Sequence, residues 1–595
     1  MLKRRKLSNI GLRHDAWRFC RANGIASGGS FLVAILLSAS AFGQTASQIT
    51  PPTFRPNAER SSGVSIQGAP GLSAPAGAEK LTVTLSGVSV TGGMPQLAGA
   101  ADDLERRLTG RTVTGAEIFA AARELETAYA RAGYVLVRVI LPPQKLLNGS
   151  RLRLVVVNGF IERVETRGVP DTVRQRISGL IGPLTERRDV TLAEIERRVL
   201  LAGDTPGVVL RSTLAPGTRE GGAVLIVEAR YQAISEVLTF DNTLSKALGR
   251  TVVGAGVDIN SAAGFGELIY LRASGHPNDG DNSFVDRYPR NRTLAAGFVL
   301  PLWIDGLTFN AEYTDARTTP RAVAGIQSTD TYDRLSFRLR YAWLRGRSAN
   351  FNSEVSFDAQ DEQQSLFVAG TPVPLSLDRL RIARITHDGD VFTPWGATVS
   401  GRVTASFGID AFGARTASQA TAVLPLSRQG ADAEFQKLDA SFGYNQVLMD
   451  HLAVSLSARV QYSFNTPLLR SEQIGIANTS GISAFDAGSI VGDQGYVVRG
   501  ELQSPWNLPR IAELGIGGVA VPYLFGALGE VSLQQPTALE ASRIHAVSYG
   551  GGIRLGGAMA GTLSNGSLSL EYGRAERNDG VPANNRFTVV SAFRF

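Results

Sequence analysis

Five histidines stand at 14, 276, 387, 451 and 545, and His387 has two acids near it, Asp388 and Asp390. No serine or acid cluster at catalytic spacing joins it, so an enzyme site around His387 has little to rest on. Neither His-Glu-x-x-His nor Gly-x-Ser-x-Gly occurs, and no Gly-Lys pair could build a phosphate loop. Metal ligands, cofactors and catalytic residues are therefore not expected. What the sequence does offer is charge in a turn-and-strand setting. Gly492-Asp493-Gln494-Gly495 opens an alternating strand that carries Arg499 and Glu501. In a partly enclosed space, a carboxylate and a guanidinium there would form a charge-assisted contact able to fix a loop.

The elements that must position these residues lie in a chain of 595 residues, 43% hydrophobic and 19% charged. That is too long for one ordinary domain and too apolar for a disordered one. The longest apolar run, near Ser30 to Gly43, has about 14 residues, short of the roughly 20 needed to span a bilayer as a helix. Lys3, Arg4, Arg5, Lys6, Arg13, Arg18 and Arg21 against Asp15 supply most of the net charge of +7. Followed by Phe31 to Leu37 and Ala41-Phe42-Gly43, they predict an export signal over residues 1–43 with cleavage after Gly43. The remainder is nearly neutral, so no nucleic-acid partner is expected. The only cysteine, Cys20, precedes the apolar region. An exported chain without disulfides must draw its stability from a large core or a closed sheet.

Residues 44–79 hold Pro51, Pro52, Pro56, Pro70 and Pro75 and read as an extended linker. Residues 80–159 and 160–230 read as tandem β-α-α-β-β modules. The first opens with the strand Leu81, Val83, Leu85. Its helix carries Ile118, Ala122, Leu125, Tyr129 and Ala132 on one face, behind a Thr114/Glu117 capping box. The strands Tyr134 to Leu141 and Leu152 to Val157 complete it. The second module reads as a strand near Ile161 to Glu165, helices at Asp171 to Ile181 and around Leu192 to Ala202, and strands Val208 to Leu214 and Ala223 to Val227.

Over residues 231–595 the period changes to two. Leu335, Phe337, Leu339, Tyr341 and Trp343 alternate with Ser336, Arg338, Arg340 and Ala342, and 16 such segments can be counted. Short gaps near Asn260 to Gly264, Trp303 to Asp305, Gly346 and Met449 to Asp450 alternate with long ones. The long gaps are His276 to Arg290, Ala316 to Asp330, Asp361 to Leu377, Gly408 to Glu434 and Pro467 to Gly492. An even count with tight turns at one end and long loops at the other predicts a 16-stranded antiparallel transmembrane barrel. It ends on an aromatic strand whose Phe593 and Phe595 are expected to serve as an assembly signal. The whole is a mixed fold, two α/β modules and a barrel.

The first module contains Tyr129-Ala130-Arg131-Ala132-Gly133-Tyr134, Leu141-Pro142-Pro143-Gln144 and Val155-Val156-Val157-Asn158-Gly159. The second has Leu200 to Gly207, including Pro206-Gly207, and Leu214-Ala215-Pro216-Gly217. These residues resemble the polypeptide-transport-associated (POTRA) repeats of two-partner secretion transporters, the TpsB family of haemolysin and haemagglutinin secretion proteins. The likeness runs from about Leu81 to Phe595 and includes Asp241-Asn242 and the block from Glu472 to Pro505. In that family a Val-Arg-Gly-Tyr/Phe loop signature precedes a Gly-Asp-x-Gly strand. Gly492, Asp493 and Gly495 fit the strand, while Ile482-Ser483-Ala484-Phe485 stands at the loop offset, with Ser483 in the arginine position and Ala484 in the glycine position. A loop arginine paired with the strand aspartate is what the resemblance implies. Here Asp493 needs another donor, for which Arg470 is a candidate. A second reading makes Val498-Arg499-Gly500 the signature itself, and a third makes Arg499 a plain lumen-facing strand residue.

The resemblance implies an outer-membrane pore of a Gram-negative bacterium with periplasmic POTRA modules. It would pass an unfolded exoprotein to the surface without nucleotide, as a monomer and not as an enzyme. Its other partners would be outer-membrane lipid and, during biogenesis, the barrel assembly machinery. Strand addition at Val208 to Leu214 or Leu81 to Val90 would capture the substrate, although either edge could equally be packing between modules. An assembly factor for other barrels, a passive porin and a barrel enzyme are the competing readings. Relatives carry an amino-terminal plug helix, and the proline content of residues 44–79 does not predict one.

Overall fold

The computed structural model describes residues 44–50, 65–66, 73–278, 280, 282–511, 516–559 and 562–595; the expected export signal and its cleavage site lie outside them. The first module comprises β1 (Thr82–Thr91), α1 (Ala98–Leu108), β2 (Thr112–Thr114), α2 (Gly115–Arg131), β3 (Arg138–Ile140) and β4 (Ser150–Val157). Thr114 caps α2 by accepting from the Glu117 N–H at 3.1 Å, while the Glu117 carboxylate accepts from the Thr114 N–H at 2.6 Å. Ile118, Ala122, Leu125 and Tyr129 are buried, as the period demands, and Ala132 is exposed because the helix stops at Arg131. Gly133 follows with a φ of +95° and turns the chain, so Tyr134 to Val137 form a turn where a strand was expected. At the far edge Gln144 imitates a strand: its amide nitrogen donates to the Arg153 carbonyl at 2.8 Å and its oxygen accepts from the Arg153 N–H at 2.9 Å. Pro142, whose carbonyl also receives that amide, sets the turn that brings it there.

The second module comprises β5 (Phe160–Arg167), α3 (Asp171–Ile181), α4 (Leu192–Gly203), β6 (Val208–Pro216) and β7 (Gly222–Tyr231). Gly159, which joins the modules, has no room for a side chain, since a Cβ there would stand 2.1 Å from the Leu136 carbonyl oxygen. Gly207 is equally constrained, with φ of +74° and the Gln232 carbonyl 2.3 Å from where a Cβ would sit. Of the two strands expected to be open edges, β1 is an inner strand between β2 and β4. The other, β6, has the two-residue strand Ser65–Ile66 paired to it.

The closed sheet follows with β8 (Ile234–Asp241), β9 (Val252–Asn260), β10 (Leu268–Gly275), β11 (Asn291–Pro301), β12 (Leu307–Thr318), β13 (Ser328–Arg345), β14 (Ala349–Val368) and β15 (Thr371–Phe392). It continues through β16 (Ala397–Gly408), β17 (Gln436–Met449), β18 (Leu452–Tyr462), β19 (Gln494–Gln503, resumed at Trp506–Ile511), β20 (Ile516–Ser532), β21 (Arg543–Met559), β22 (Asn565–Arg577) and β23 (Asn584–Arg594). Sixteen antiparallel strands close with β23 against β8. Leu335, Phe337 and Leu339 face outward, whereas Ser336 is fully buried and bonds Asp358 at 2.6 Å in the lumen. One expected loop is not a loop. Asp361 to Leu377 is a continuous hairpin from Asp361↔Arg379 to Val368↔Thr371, because its polar residues Glu362 and Gln364 keep the inward alternation.

Module and barrel meet at the tight-turn end. Arg345 donates to both Asp204 oxygens (2.9 and 2.6 Å), Arg198 reaches Asp305 at 3.3 Å, and the Ser261 hydroxyl donates to the Pro206 carbonyl at 3.3 Å. Far from this joint, the turn after β6 is fastened by Glu162, whose carboxylate accepts from the Thr218 hydroxyl and from the N–H groups of Thr218 and Arg219 (2.6, 2.8 and 3.1 Å). Those bonds lower its pKa from 4.5 to about 2. A carboxyl depressed on folding stabilises above its unfolded pKa and loses that contribution as pH falls through the folded one. Hydrogen exchange at Thr218 and Arg219, corrected for intrinsic rates, should accelerate as pH falls from about 4.5 to 2. Glu162→Gln should already exchange fast at neutral pH and show no such step.

Candidate functional site

The lumen of a 16-stranded barrel is too wide for its own strand side chains to fill. Two other parts of the chain enter it. The larger is the segment 463–493 between β18 and β19, which folds back inside. Its single 3₁₀ turn, Arg470–Glu472, buries Glu472 against two cations. Arg384 of β15 grips both carboxylate oxygens at 3.0 and 2.7 Å and spends its Nε on Asp358 at 2.8 Å, while Lys437 of β17 reaches Glu472 at 2.8 Å. Further along, Ile474, Ile476, Ile482, Ala484, Phe485 and Ile490 form an apolar cluster. The barrel wall meets it with Val497, Ala527, Val531, Ala546 and Ala575, small residues that leave room for the loop.

The residues singled out by sequence fall into two separate sets of contacts with this loop. Asp493 is fully buried and accepts from the Leu468 N–H (3.0 Å), the Gln473 amide (3.0 Å) and the Gln534 N–H (2.6 Å). Its cationic partner is Arg428, at 3.3 Å, from the long loop between β16 and β17. Arg470 is not that partner: it donates to Gln364 at 3.1 Å, because the turn at Leu469 carries its side chain toward β14. Gly492 and Gly495 press on the next strand, where a Cβ would come within 2.8 Å of the Val531 Cβ and 2.3 Å of the Glu530 carbonyl oxygen respectively.

Ser483 accepts from Arg499 at 3.0 Å. Arg499 stands on β19, 2% exposed, and also pairs with Glu501 (2.8 Å) and Glu571 (2.5 Å), with its guanidinium 3.9 Å above the Phe525 ring. The cation therefore sits on the strand and the loop supplies an acceptor. Phe485 lies under Arg577, Asn584 donates to the Ala484 carbonyl at 2.7 Å, and Asp486 pairs with Arg586. Phe593 and Phe595 are outside this constellation, half exposed on the outer face of β23 and its end.

The second intruder is the amino-terminal turn Ala46–Ile49. Residues 44–50 contain no proline, and Thr45 and Gln48 have capping-box spacing, so this stretch coils where an extended linker was expected. Ala46 is fully buried against Ala316 and Tyr332, its N–H donates to Asp330 at 3.3 Å, and the Ser47 N–H donates to Glu362 at 3.3 Å. Gln44 bridges Ala487 of the inserted loop and the Ser245 N–H. A cavity of about 1060 Å³ lies beside both intruders, lined by Gln44, Gln48, Arg428, Arg470, Asp486 and Arg577 among others.

His387 does not assemble into an active site. It is exposed on the outer face, 2.8 Å from the Ser353 hydroxyl, which also accepts from the Trp343 ring N–H at 2.8 Å. Asp388, one residue on, points the other way and is held by Arg340 at 2.7 Å through both oxygens. Period-two alternation alone separates the base from the acid.

The model of the haemolysin secretion/activation proteins ShlB/FhaC/HecB matches residues 221–555, and that of the ShlB-type POTRA domain matches residues 83–159. The chain belongs to the ShlB/FhaC/HecB family. Similar relatives are heme/hemopexin transporter proteins HuxB from Haemophilus influenzae. One is 21% identical over 67% of this chain and 68% of its own, another, from strain 86-028NP, 22% over the same shares. Among solved structures, CdiB from Escherichia coli aligns at a TM-score of 0.64 with 18% identity, over 96% of this chain and 97% of its own. CdiB from Acinetobacter baumannii aligns at 0.57 with 14% identity, over the same shares. Family members are transporters and secretion pores. The barrel therefore sits in a Gram-negative outer membrane with its POTRA modules in the periplasm, and the tight turns at Asp305 and Gly346 are periplasmic. Chain direction then places Asp330, Glu362 and the amino-terminal turn toward the cell surface.

Sequence reasoning missed Arg384, Lys437, Arg428 and Glu571, since nothing local sets apart one inward charge from the next. Arg499→Ala would leave Glu501 and Glu571 short of a buried cation, a loss of about 3–5 kcal/mol, whereas Ser483→Ala removes one acceptor at a cost of about 0.5–1.5 kcal/mol. Heating in detergent and following the folded band on semi-native gels should show a far larger drop in midpoint for Arg499→Ala. Equal drops would deny Arg499 a central place in the network.

Proposed function

We propose that this chain exports a partner exoprotein of the haemolysin/haemagglutinin kind. The POTRA modules take up the unfolded chain in the periplasm and the barrel passes it to the surface. The observation that carries this reading is a wide polar lumen that, among the described residues, is obstructed by two elements of the same chain held through non-covalent contacts. The loop 463–493 and the Ala46–Ile49 turn sit directly above a POTRA module joined to the barrel mouth. No phosphate-binding motif is present, and the direction of movement comes from binding below and from folding of the product outside. The chain acts as a conduit and not as an enzyme, with Ser483 and Arg499 together taking the place of the family's loop arginine.

A second reading, insertion of other barrels into the membrane, is favoured by one observation. The closing seam is short, pairing only from Val590↔Asp241 to Arg594↔Val237, whereas β14 and β15 pair from Ala349↔Val391 to Val368↔Thr371. A chain that inserts other barrels would be needed for their assembly. Its removal would then lower several outer-membrane proteins together, while the export reading requires the loss of one secreted product.

Planar-bilayer recordings test the conduit. The intact protein should give a low, flickering conductance, and deletion of residues 467–489 should make it large and steady. The same large conductance before and after deletion would mean that the loop does not close the lumen.

A further inference from the structure

We propose that Arg176 of α3 and the turn between β9 and β10 form a site for the phosphodiester of an anionic phospholipid, of the phosphatidylglycerol kind, in the inner leaflet of the membrane. The assignment rests on the outer-membrane placement of the barrel and is independent of what the lumen carries.

Aromatic side chains mark the membrane boundary at this end. Trp303, Trp343, Trp395 and Trp506 all stand exposed at or beside the tight turns, Trp303 the most at 86%. Indoles in that position sit among the headgroups, with the ring on the apolar side and the N–H toward water. The outward strand residues Ile269, Phe298 and Leu300 run down to the same level. Phe265, 72% exposed at the tip of the β9–β10 turn, joins this belt. The turn presents it firmly, because the buried Glu267 carboxylate accepts from the N–H groups of Ala263 and Phe265 at 2.5 and 3.1 Å.

Helix α3 lies directly against that turn. A Cβ on Gly264 would stand 2.9 Å from the Thr172 carbonyl oxygen, and one on Gly266 would stand 3.3 Å from both Cγ and Nε of Arg176. Gly266 also touches the end of β11, since its Cβ would lie 3.5 Å from the Pro301 Cγ, two residues before Trp303. The Arg176 guanidinium is thereby set beside two aromatic-bearing turns, at the depth of the headgroups.

The other arginines of this joint are occupied. Arg174 pairs with Asp171, Arg197 donates to the carbonyls of Trp343 and Asp305 at 3.1 and 3.4 Å, and Arg198 donates to the Leu180 carbonyl at 2.8 Å and the Asp305 carboxylate at 3.3 Å. Arg176 is half-buried and has no hydrogen-bond or ion-pair partner among the described residues. Burial draws its pKa down, with the Asp305 charge working the other way. A cation removed from water without an acceptor is costly, and a phosphodiester offers two oxygens that match the guanidinium fork.

The test uses the full-length protein purified in detergent and native mass spectrometry with added phosphatidylglycerol. Arg176→Gln should weaken the tightest lipid adduct by about tenfold or more, the worth of a hydrogen bond to a charged group. Arg123→Gln, which removes an exposed arginine of α2 in the first module, should leave it unchanged. An unchanged adduct in Arg176→Gln, or equal losses in the two variants, overturns the site. Phosphatidylcholine should bind the unmodified protein more weakly than phosphatidylglycerol, and equal binding overturns the anionic class. Inorganic phosphate, added as its ammonium salt, should not displace the lipid at equal concentration; displacement would assign Arg176 to a free anion and overturn the lipid reading. The folded gel band confirms that each variant is intact.

Discussion

The closed state of the lumen depends on Glu472. A segment joining two outer-membrane strands would by default be solvated outside, and what draws this one inward is a single carboxylate met by Arg384 and Lys437. Taking such charges out of water costs several kcal/mol per ion, which good geometry can offset without leaving a large surplus. The geometry here is good: Arg384 uses two nitrogens on Glu472 and a third on Asp358, and Lys437 also donates to the Glu472 carbonyl at 2.8 Å. Such a set contributes position more than net stability. Any displaced geometry leaves a buried charge unpaired, so the loop has one place to sit. The apolar cluster around Ile476 and Phe485 then adds non-directional adhesion on a wall of small residues.

With the loop in place, the remaining polar groups follow. Asp493 collects two of its three N–H donors because Leu468 and Gln473 come down with the loop, the third is Gln534, and Arg428 closes the shell from a different loop. The Ser483 hydroxyl gives Arg499 a neutral acceptor beside two acids. With the cation on the strand, one charge-assisted contact joins strand and loop. It also lets the strand network of Arg499, Glu501, Arg554 and Glu571 stay paired by itself. The loop tip consequently carries no charge of its own at Ser483.

The sequence made the architecture legible where one period governs many residues. Alternation through Leu335 to Trp343 names the lipid face, and the spacing from Ile118 to Tyr129 with Thr114 as cap names a helix. It erred where a local signal met a tertiary one. Glu362 and Gln364 look like loop residues but are inward strand positions, and Tyr134 to Val137 are apolar yet turn because Gly133 takes a left-handed φ. Of the motif residues, Ser483 and Arg499 touch, while Asp493 lies in a separate set of contacts, and the partners Arg428 and Glu571 are 65 and 72 residues distant from Asp493 and Arg499, fixed by barrel register alone. Proline content hid the coiled turn at Ala46–Ile49, since the prolines begin only at Pro51.

The two obstructions differ in chemistry, and the difference bears on how readily each can be displaced. The amino-terminal turn is held by main-chain N–H groups of Ala46 and Ser47 on Asp330 and Glu362, by the small contact of Ala46 with Ala316 and Tyr332, and by the Gln44 side chain on Ala487 and Ser245. A passing polypeptide offers the same N–H donors at every residue except proline, so exchanging one for another leaves the count of hydrogen bonds unchanged. The inserted loop is held by guanidinium and carboxylate, and a peptide backbone cannot replace Glu472 without leaving Lys437 without its carboxylate and Arg384 with Asp358 alone. Displacement at the surface end is therefore close to neutral, while displacement of the loop turn requires water to reach Arg384 and Lys437 first. That asymmetry ranks the two: the amino-terminal turn is the obstruction whose main-chain bonds another backbone can replace, and the loop is the one whose release needs water around Glu472.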